Sequence, residues 1–504
     1  MPDGAAGRIG VLGAGTMGAG IAQLAAQSGA VAWLHDPDGA ALERGLAAAR
    51  GRLEKQGADP ARLQPAVELA ALDGCDLVVE AAPESLDLKR ALFGSVAAVV
   101  GDACVLATNT SSLSVTAIAA GVPRPERVVG MHFFNPAPVM KLVEVVAGEQ
   151  SGEHALALAR ATGEAMGRRV IDAADSPGFL VNRCNRPFGL EALRIVQERL
   201  ATVEQVDRIV RLGGGFRMGP FELMDLVGLD VGLDVAKSFF AQSFGEPRWR
   251  PSPLVERLVA AGRLGRKSGH GWYAYPDGRP EDPPAPAPGG GDGLVIIAGE
   301  SALAADLLES AVVAGWDAAA PDEADGEVPF LIVDCGGGED DPPLQGGPQV
   351  LLCDAAPLAA LDAGGASAGF YALPGAGLVE LTRSLGTSDA AARAAERFFA
   401  SLGRHVEWVG DAPGLVLGRI VCQLVNEACF AVGEGVGTPE DVDAGMVLGL
   451  NHPRGPLERG DAIGPIEVLA VLLGLQDEYR EERYRPAPVL MRAARGGGAL
   501  SGGA

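Results

Sequence analysis

Short apolar runs alternate with stretches of helical periodicity through the first third of the chain. Arg8–Leu12 reads as a buried strand, 17–29 as a helix and Val31–His35 as a second strand, with further strands at 76–80, 105–109 and 128–134. Strands alternating with helices predict a parallel, doubly wound sheet, an α/β domain over residues 5–175. From Asp175 the periodicity changes. Ser176-Pro177-Gly178 punctuates the chain, 179–198 reads as one long helix, and helical stretches follow to about Leu264. That pattern predicts an all-α domain over 176–279. The run rich in Pro, Gly, Ala and Asp after Gly278 has no period and is expected to be a linker, 280–293.

The remainder repeats the beginning. Pro413-Gly414, Arg419, Glu427, Asp443 and Gly455-Pro456-Leu457-Glu458 lie 236 positions after Pro177-Gly178, Arg183, Glu191, Asp207 and Gly219-Pro220-Phe221-Glu222. Leu378-Val379-Glu380 follows Leu142-Val143-Glu144 at the same spacing. Many matches at one spacing predict that the pair of domains is duplicated in tandem, as 294–411 and 412–496. The first strand of the second copy, 295–299, follows 9–13 by 286 positions, so the second sheet domain is expected to be the shorter.

Composition narrows the partners. The chain has 504 residues, 48% of them apolar, enough for several buried cores. A formal net charge of −24 argues against nucleic acid and against an anionic membrane surface, and any anionic ligand then needs a local basic patch. Seven scattered cysteines without a Cys-x-x-Cys pair fit a reducing cytoplasm and no metal site. The N-terminus carries no signal pattern, and no apolar run is long enough to span a membrane.

Gly13-Ala14-Gly15-Thr16-Met17-Gly18 lies between the first strand and the first helix. Gly13 permits a tight turn, Gly15 lets the backbone approach a pyrophosphate, and Gly18 lets the helix pack on the strand. The helix N-terminus, from Thr16 and Met17, then offers free N–H groups and a positive dipole end. Asp36 ends the second strand and suits the ribose hydroxyls. No Arg follows it to hold a 2′-phosphate, so NAD is expected rather than NADP.

His132 and Glu144 stand on two apolar runs joined by a Pro-containing connector that can fold the second run back on the first. A histidine oriented by a carboxylate can take a proton from a hydroxyl near neutral pH. Next to a dinucleotide site, such a base points to alcohol-to-ketone oxidation by hydride transfer. The competing reading is a buried structural His–Glu pair.

Seven stretches follow one another in order: Gly13-x-Gly15-x-x-Gly18, Asp76-Leu-Val-Val-Glu80-Ala, Asn109-Thr-Ser-Ser-Leu113, His132-Phe-Phe-Asn135-Pro through Lys141-Leu-Val-Glu144, Ser176-Pro-Gly-Phe-Leu-Val-Asn182-Arg183, Gly219-Pro-Phe-Glu-Leu-Met-Asp225 and Gly265-Arg-Lys267-Ser-Gly-His-Gly271-Trp-Tyr. In these the chain resembles the L-3-hydroxyacyl-CoA dehydrogenase family. Its doubled length resembles the long bacterial form, which acts on 3-hydroxybutyryl-CoA or 3-hydroxyadipyl-CoA in fatty-acid or phenylacetate catabolism. The resemblance implies a Rossmann-type domain binding NAD, an acyl-CoA substrate lying between that domain and the following helices, His132 as base and Glu144 as its orienting acid. It implies that Ser111 bonds the substrate oxygen and the cofactor, that Asn135 binds the nicotinamide carboxamide or the substrate, and that Asn182 reaches the substrate carbonyl. Glu80, Lys89 and Lys267 resemble cofactor-contacting positions, although Lys89 also reads as part of a solvated helix face.

Arg44, Arg50, Arg52 and Lys55 cluster where the family presents CoA, or form a solvated face. His35, His154, His270, His405 and His452 lack a comparable setting. Two rivals stand beside acyl-CoA oxidation: dehydrogenation of a hydroxy acid or sugar acid without CoA, and a silent nucleotide-binding scaffold. At the constant spacing the second copy has Ala368 for His132, Tyr371 for Asn135 and Gly418 for Asn182, and Gly299-Glu300-Ser301 retains only the first glycine of the loop. It reads as a fold without an active site. Short family members pair through their helical domains, so a fused second helical domain is expected to supply that surface within one chain, with a homo-oligomer left open.

Overall fold

The computed structural model describes residues 4–323, 327–336 and 346–502, so parts of the expected 294–411 domain lie outside the described residues. The chain forms two compact units. One is Met1–Cys184 with Glu434–Asn451, and the other is Asn185–Gly433 with His452–Ala504.

The first unit is built on β1 (Arg8–Leu12), β2 (Val31–His35), β3 (Leu63–Pro65), β4 (Leu77–Glu80), β5 (Val105–Thr108), β6 (Val128–Phe133), β7 (Leu142–Ala147) and β8 (Arg169–Ala174), in the order β3-β2-β1-β4-β5-β6-β7-β8. β4, β5 and β6 are buried at every position, which explains their continuous apolar runs: a parallel sheet covered by helices has no wet face. One pair departs from the parallel expectation. β6 and β7 run antiparallel, because the connection 134–141 is too short for a crossover. That hairpin sets His132 directly opposite Glu144.

The single helix expected over 179–198 is two. Val181–Cys184 and Arg186–Gln197 are separated at Asn185, and Pro187 sits in the first turn of the second helix. Proline has no N–H to give the preceding turn, and its ring crowds the carbonyl four residues back. The position 236 residues on is Gln423, and there the helix Leu417–Gly433 runs unbroken.

The second unit holds β9 (Leu294–Ala298), β10 (Asp317–Ala319), β11 (Leu331–Asp334), β12 (Gln349–Leu352), β13 (Ala368–Tyr371), β14 (Leu378–Arg383) and β15 (His405–Trp408). Their order is β10-β9-β11-β12-β13-β14-β15, with only β13 and β14 antiparallel. This is the order of the first sheet without a counterpart of β3 among the described residues. The expected linker forms no helix or strand, yet it is tied down. Asp282 takes a two-pronged ion pair from Arg211, and Gly289 and Gly291 donate backbone hydrogen bonds to Ser401 and Ala314.

Each unit borrows a helix from the distant part of the chain. In the first, Pro439–Leu450 packs on β7 and β8: a Cβ on Gly449 would meet Leu142 at 2.9 Å, and one on Gly445 would meet Val181 at 2.6 Å. Ala174 N donates to Val436 O (2.9 Å), and Arg183 pairs with Glu434 (2.6 Å). In the second, Val203–Leu212 lies against β14 and β15, Gly410 N donates to Leu200 O (2.7 Å), and Arg419 pairs with Glu198 (2.6 Å). Every partner in one set lies 236 positions from its counterpart in the other. A chain cut after Arg279 would leave Leu142, Ile171 and Val181 without that cover. We expect residues 1–279 to self-associate or aggregate in sedimentation analysis, whereas a stable, fully active monomer would contradict the packing argument.

Candidate active site

The expected site residues at or after the ends of β1, β2, β4, β5 and β6 lie at the carboxyl edge of the first sheet, where loops of a doubly wound fold converge. The glycine loop follows β1, Asp36 follows β2, Glu80 ends β4, Ser111 follows β5, and His132 lies near the end of β6. Gly13 has φ +98°, and a Cβ there would meet Ala81 O at 2.7 Å; a Cβ on Gly18 would meet Gly13 O at 1.8 Å. Both are required by the fold itself. Around Gly15, by contrast, a Cβ would find nothing within 4 Å. The loop is held by Asp36, whose carboxylate accepts from Ala14 N (2.8 Å) and Asp38 N (2.9 Å). Thr16 and Met17 open the helix Thr16–Gln27, which has no side-chain cap. Open space at Gly15, uncapped helix N–H groups and an acid at the end of β2 fit a dinucleotide.

His132 and Glu144 are buried, at 6% and 0% exposure. His132 Nδ1 lies 2.5 Å from Glu144 Oε2. The other carboxylate oxygen accepts from the backbone N–H groups of Leu180 (3.2 Å) and Val181 (3.0 Å), where the helix Val181–Cys184 begins. A carboxylate surrounded by donors leaves Nδ1 to carry the ring proton and Nε2 as the free base. Phe134 and Phe179 pack on the ring, with centroids 4.6 and 5.9 Å away. Ser111 and Asn182 are partly exposed and Asn135 is exposed, and no described residue hydrogen-bonds their side chains. Three polar side chains without protein partners are therefore available to ligands.

Glu80 and Lys89 are placed differently from a ligand contact. Both are buried. Lys89 Nζ donates to Glu80 Oε1 (2.7 Å), and Glu80 also accepts from Ala82 N and Thr108 Oγ1. Lys89 is thus not on a solvated helix face; its aliphatic stem and ammonium are enclosed. Its second partner is Glu84, at 3.3 Å, a residue the sequence pattern did not single out. Glu84 Oε1 accepts from Thr110 Oγ1, Ser111 N, Ser112 N and Ser112 Oγ, all at 2.5–3.0 Å, and so shapes the loop that presents Ser111. Burial pushes the Glu84 carboxyl up, but Lys89 and these donors outweigh it and hold it below its ordinary value.

Lys267 lies in the second unit, where its ammonium pairs with Asp230 (2.6 Å). Of the basic cluster on the helix Gly39–Lys55, Arg50 bonds Leu63 O and Arg52 bonds Gln23, while Arg44 and Lys55 are exposed. His35 bonds Ala66 O, and His154 and His270 are exposed. Burial lowers the pKa of His405, with Arg208 adding to it. His452 packs on Phe188 and Phe216, and burial, reinforced by Arg459, lowers it to about 3. No group of His, Cys, Asp or Glu able to hold a metal occurs among the described residues. Nor is any described helix long and apolar enough to cross a membrane.

The second sheet corrects one alignment. Tyr371, not Ala368, stands opposite Glu380 as His132 stands opposite Glu144. The β13–β14 connection has lost three residues, so the constant spacing fails on β13. Glu380 still accepts from two N–H groups at the start of a helix, Val416 and Leu417. With no imidazole beside it, burial pushes its pKa up to about 8.

A family model described as "3-hydroxyacyl-CoA dehydrogenase, NAD binding domain" matches residues 8–176, and one described as "3-hydroxyacyl-CoA dehydrogenase, C-terminal domain" matches 178–275 and again 414–499. The chain is 36% identical over 497 residues to a 3-hydroxyadipyl-CoA dehydrogenase of Escherichia coli K12, covering 96% of this chain and 97% of that one. Its first half is 40% identical to a probable 3-hydroxybutyryl-CoA dehydrogenase of Deinococcus radiodurans, covering 53% of this chain and 100% of the relative. A crystal structure of 3-hydroxybutyryl-CoA dehydrogenase from E. coli K12 superposes with a TM-score of 0.82 at 34% identity, covering 97% of this chain and 98% of that one.

Two predictions follow from this geometry. Gly18→Ala should cost about 2 kcal/mol of stability in denaturant unfolding, whereas Gly15→Ala should change it by less than about 0.5 kcal/mol yet weaken NAD binding in calorimetry. For Glu84, a depressed folded-state pKa means stability present above the unfolded carboxyl pKa and lost as pH falls through the folded one. Glu84→Ala should therefore lower Tm at pH 7, and the gap from the parent should close progressively below about pH 4.

Proposed function

The chain belongs to the 3-hydroxyacyl-CoA dehydrogenase family, and on that premise we propose that His132, oriented by Glu144, is the base in the NAD-dependent oxidation of the 3-hydroxyl of an L-3-hydroxyacyl-CoA to the 3-oxo thioester. The protein is an NAD-dependent oxidoreductase. The observation that carries the base assignment is the buried Nδ1–Glu144 contact, which leaves Nε2 as the ring's open nitrogen.

NAD, when bound, would accept the hydride that leaves C3 of the substrate. The glycine loop, Thr16, Met17 and Asp36 would hold it. His132 Nε2 takes the hydroxyl proton, and the charge gathering on the ring is met by Glu144, itself fixed by two backbone N–H groups. In reduction the imidazolium returns that proton to the carbonyl oxygen. Ser111 and Asn182 bond the reacting oxygen and the thioester side of the substrate, and Asn135 bonds the carboxamide of the cofactor. That no described residue hydrogen-bonds their side chains supports these roles. Glu84, held by Lys89 and through it by Glu80, positions the Ser111 loop. Lys267 requires release from Asp230 to reach a ligand.

The names of the relatives support C4 or dicarboxylic C6 acyl chains. The repeated spacing, the two matches of the C-terminal model and the matched strand orders support a tandem duplication of the whole pair of domains. The reciprocal pairs Arg183–Glu434 and Arg419–Glu198 support pairing of the two helical domains within one chain, since an isologous contact repeats each pair with the roles exchanged. Seven buried free cysteines support a reducing compartment such as the cytoplasm.

His132→Gln should lower kcat by about 10³-fold. NAD affinity in calorimetry should stay close to the parent's, because no cofactor-holding residue is altered. Undiminished turnover in an NADH absorbance assay would overturn the assignment. The same acyl group offered as thioester and as free acid separates CoA-dependent oxidation from a free hydroxy-acid activity.

A further inference from the structure

The backbone holds His132 from one side only. On β7 the pairing runs through His132 and Phe133 to the end of β6. On β5 it covers Leu106–Val128 and Ala107–Val129 and ends at Thr108–Gly130, two residues short of His132. The chain after β5 shows why it ends there. Asn109 is still tied to the sheet, its N–H donating to Glu80 O (2.8 Å). Beyond it, Glu84 Oε1 takes Thr110 Oγ1, Ser111 N and Ser112 N at 2.5–3.0 Å and turns the chain out into the Ser111 loop.

A side chain spans the gap. Asn109 Oδ1 accepts from the N–H of Phe133 at 2.8 Å. That N–H belongs to the peptide leaving His132, and Phe133 is buried, so the donor needs an acceptor within the protein. Only the oxygen of the amide can meet an N–H, which fixes the orientation of the Asn109 side chain. It stands in for the carbonyl that a continued strand would have offered. His132 is thereby held from both sides, its ring by Glu144 on β7 and its peptide by Asn109 after β5.

The second sheet treats the same junction differently. By register Tyr371 takes the place of His132, and Leu352, opposite Phe370, takes the place of Asn109. Leucine offers no acceptor. There the backbone itself goes on pairing, with Cys353 N donating to Phe370 O (2.9 Å). A continued ladder suffices where no imidazole has to be placed. We propose that Asn109 is a positioning residue for the reaction: by holding the peptide after His132 it seats the ring on Glu144 and fixes the base relative to the Ser111 loop. This rests on the base assignment above. Asn109 acts through His132, and a misplacement of about 1 Å at a reacting group can cost about 100-fold in rate.

The test uses the full-length protein and three variants. Asn109→Leu removes the acceptor, Asn109→Ser is too short to reach Phe133, and Asn109→Asp keeps an oxygen in place. Reading kcat on its pH plateau keeps the added charge of Asn109→Asp from acting through the ionisation of His132. In Asn109→Leu and Asn109→Ser kcat should fall about 30-fold while calorimetric NAD affinity stays within about two-fold of the parent's, and Asn109→Asp should recover most of the loss. The Nδ1–H proton resonance of His132 should shift or vanish through exchange in the first two variants and persist in the third. Equal losses in all three would show that the amide nitrogen is what matters, and an undiminished kcat in Asn109→Leu and Asn109→Ser would show that the bond is dispensable; either result overturns the assignment. Should Asn109→Leu not fold, Asn109→Ser, which suits a turn, carries the comparison. If turnover proves indifferent to His132→Gln, the base reading fails and the resonance alone decides: moved in Asn109→Ser and kept in Asn109→Asp, it upholds Asn109 as the residue that seats the ring; unmoved, it overturns that as well.

Discussion

One carboxylate joins the chemistry of this protein to its architecture. Glu144 lies fully buried on β7 and accepts hydrogen bonds in two directions, from the imidazole on the neighbouring strand and from two backbone N–H groups where the next helix begins. Such a group is costly to bury and is tolerated only when its lone pairs are met. The hairpin of β6 and β7, the entry of the 181–184 helix and the orientation of His132 are consequently fixed by the same few bonds. As the proposed base, His132 needs little reorganisation when charge develops on it.

Glu380 shows that the architectural half of this arrangement can persist alone. It also sits on an antiparallel partner strand and also receives two N–H groups from a helix start. Across from it stands Tyr371, whose ring fills the space over Gly418. Glu380 anchors a helix to a sheet with neither an imidazole opposite it nor the open polar side chains of the first unit. The second sheet thus separates what the fold demands from what the proposed reaction demands.

Much of the first unit was legible in the sequence, because its signals are local. Buried parallel strands read as continuous apolar runs, and the glycine loop follows from one backbone turn and one close helix–strand approach. His132 and Glu144 could be paired because a short Pro-containing connector allows only a hairpin. The readings that failed depended on non-local facts. Pro187 interrupts a helix that amphipathic periodicity alone continues. Three residues lost between β13 and β14 moved Tyr371 into the place that constant spacing gave to Ala368. Lys89 also admitted a solvated reading because an isolated helix pattern does not reveal two acids folding over it, and Glu84 was not singled out for the same reason. Nothing in the periodicity of 203–212 or 439–450 tells which sheet the helix will cover, so the exchange of helices emerged only from the structure.

The central claim is that Glu144 fixes the proton on Nδ1 and leaves Nε2 to act as the base. The ¹⁵N chemical shifts of the His132 ring, recorded in the NAD-bound protein at a pH where the imidazole is neutral, read this directly. The account predicts a protonated Nδ1 and a bare Nε2, with that preference weakened in Glu144→Ala. A ring protonated on Nε2, or one whose tautomer is indifferent to the loss of Glu144, would contradict it.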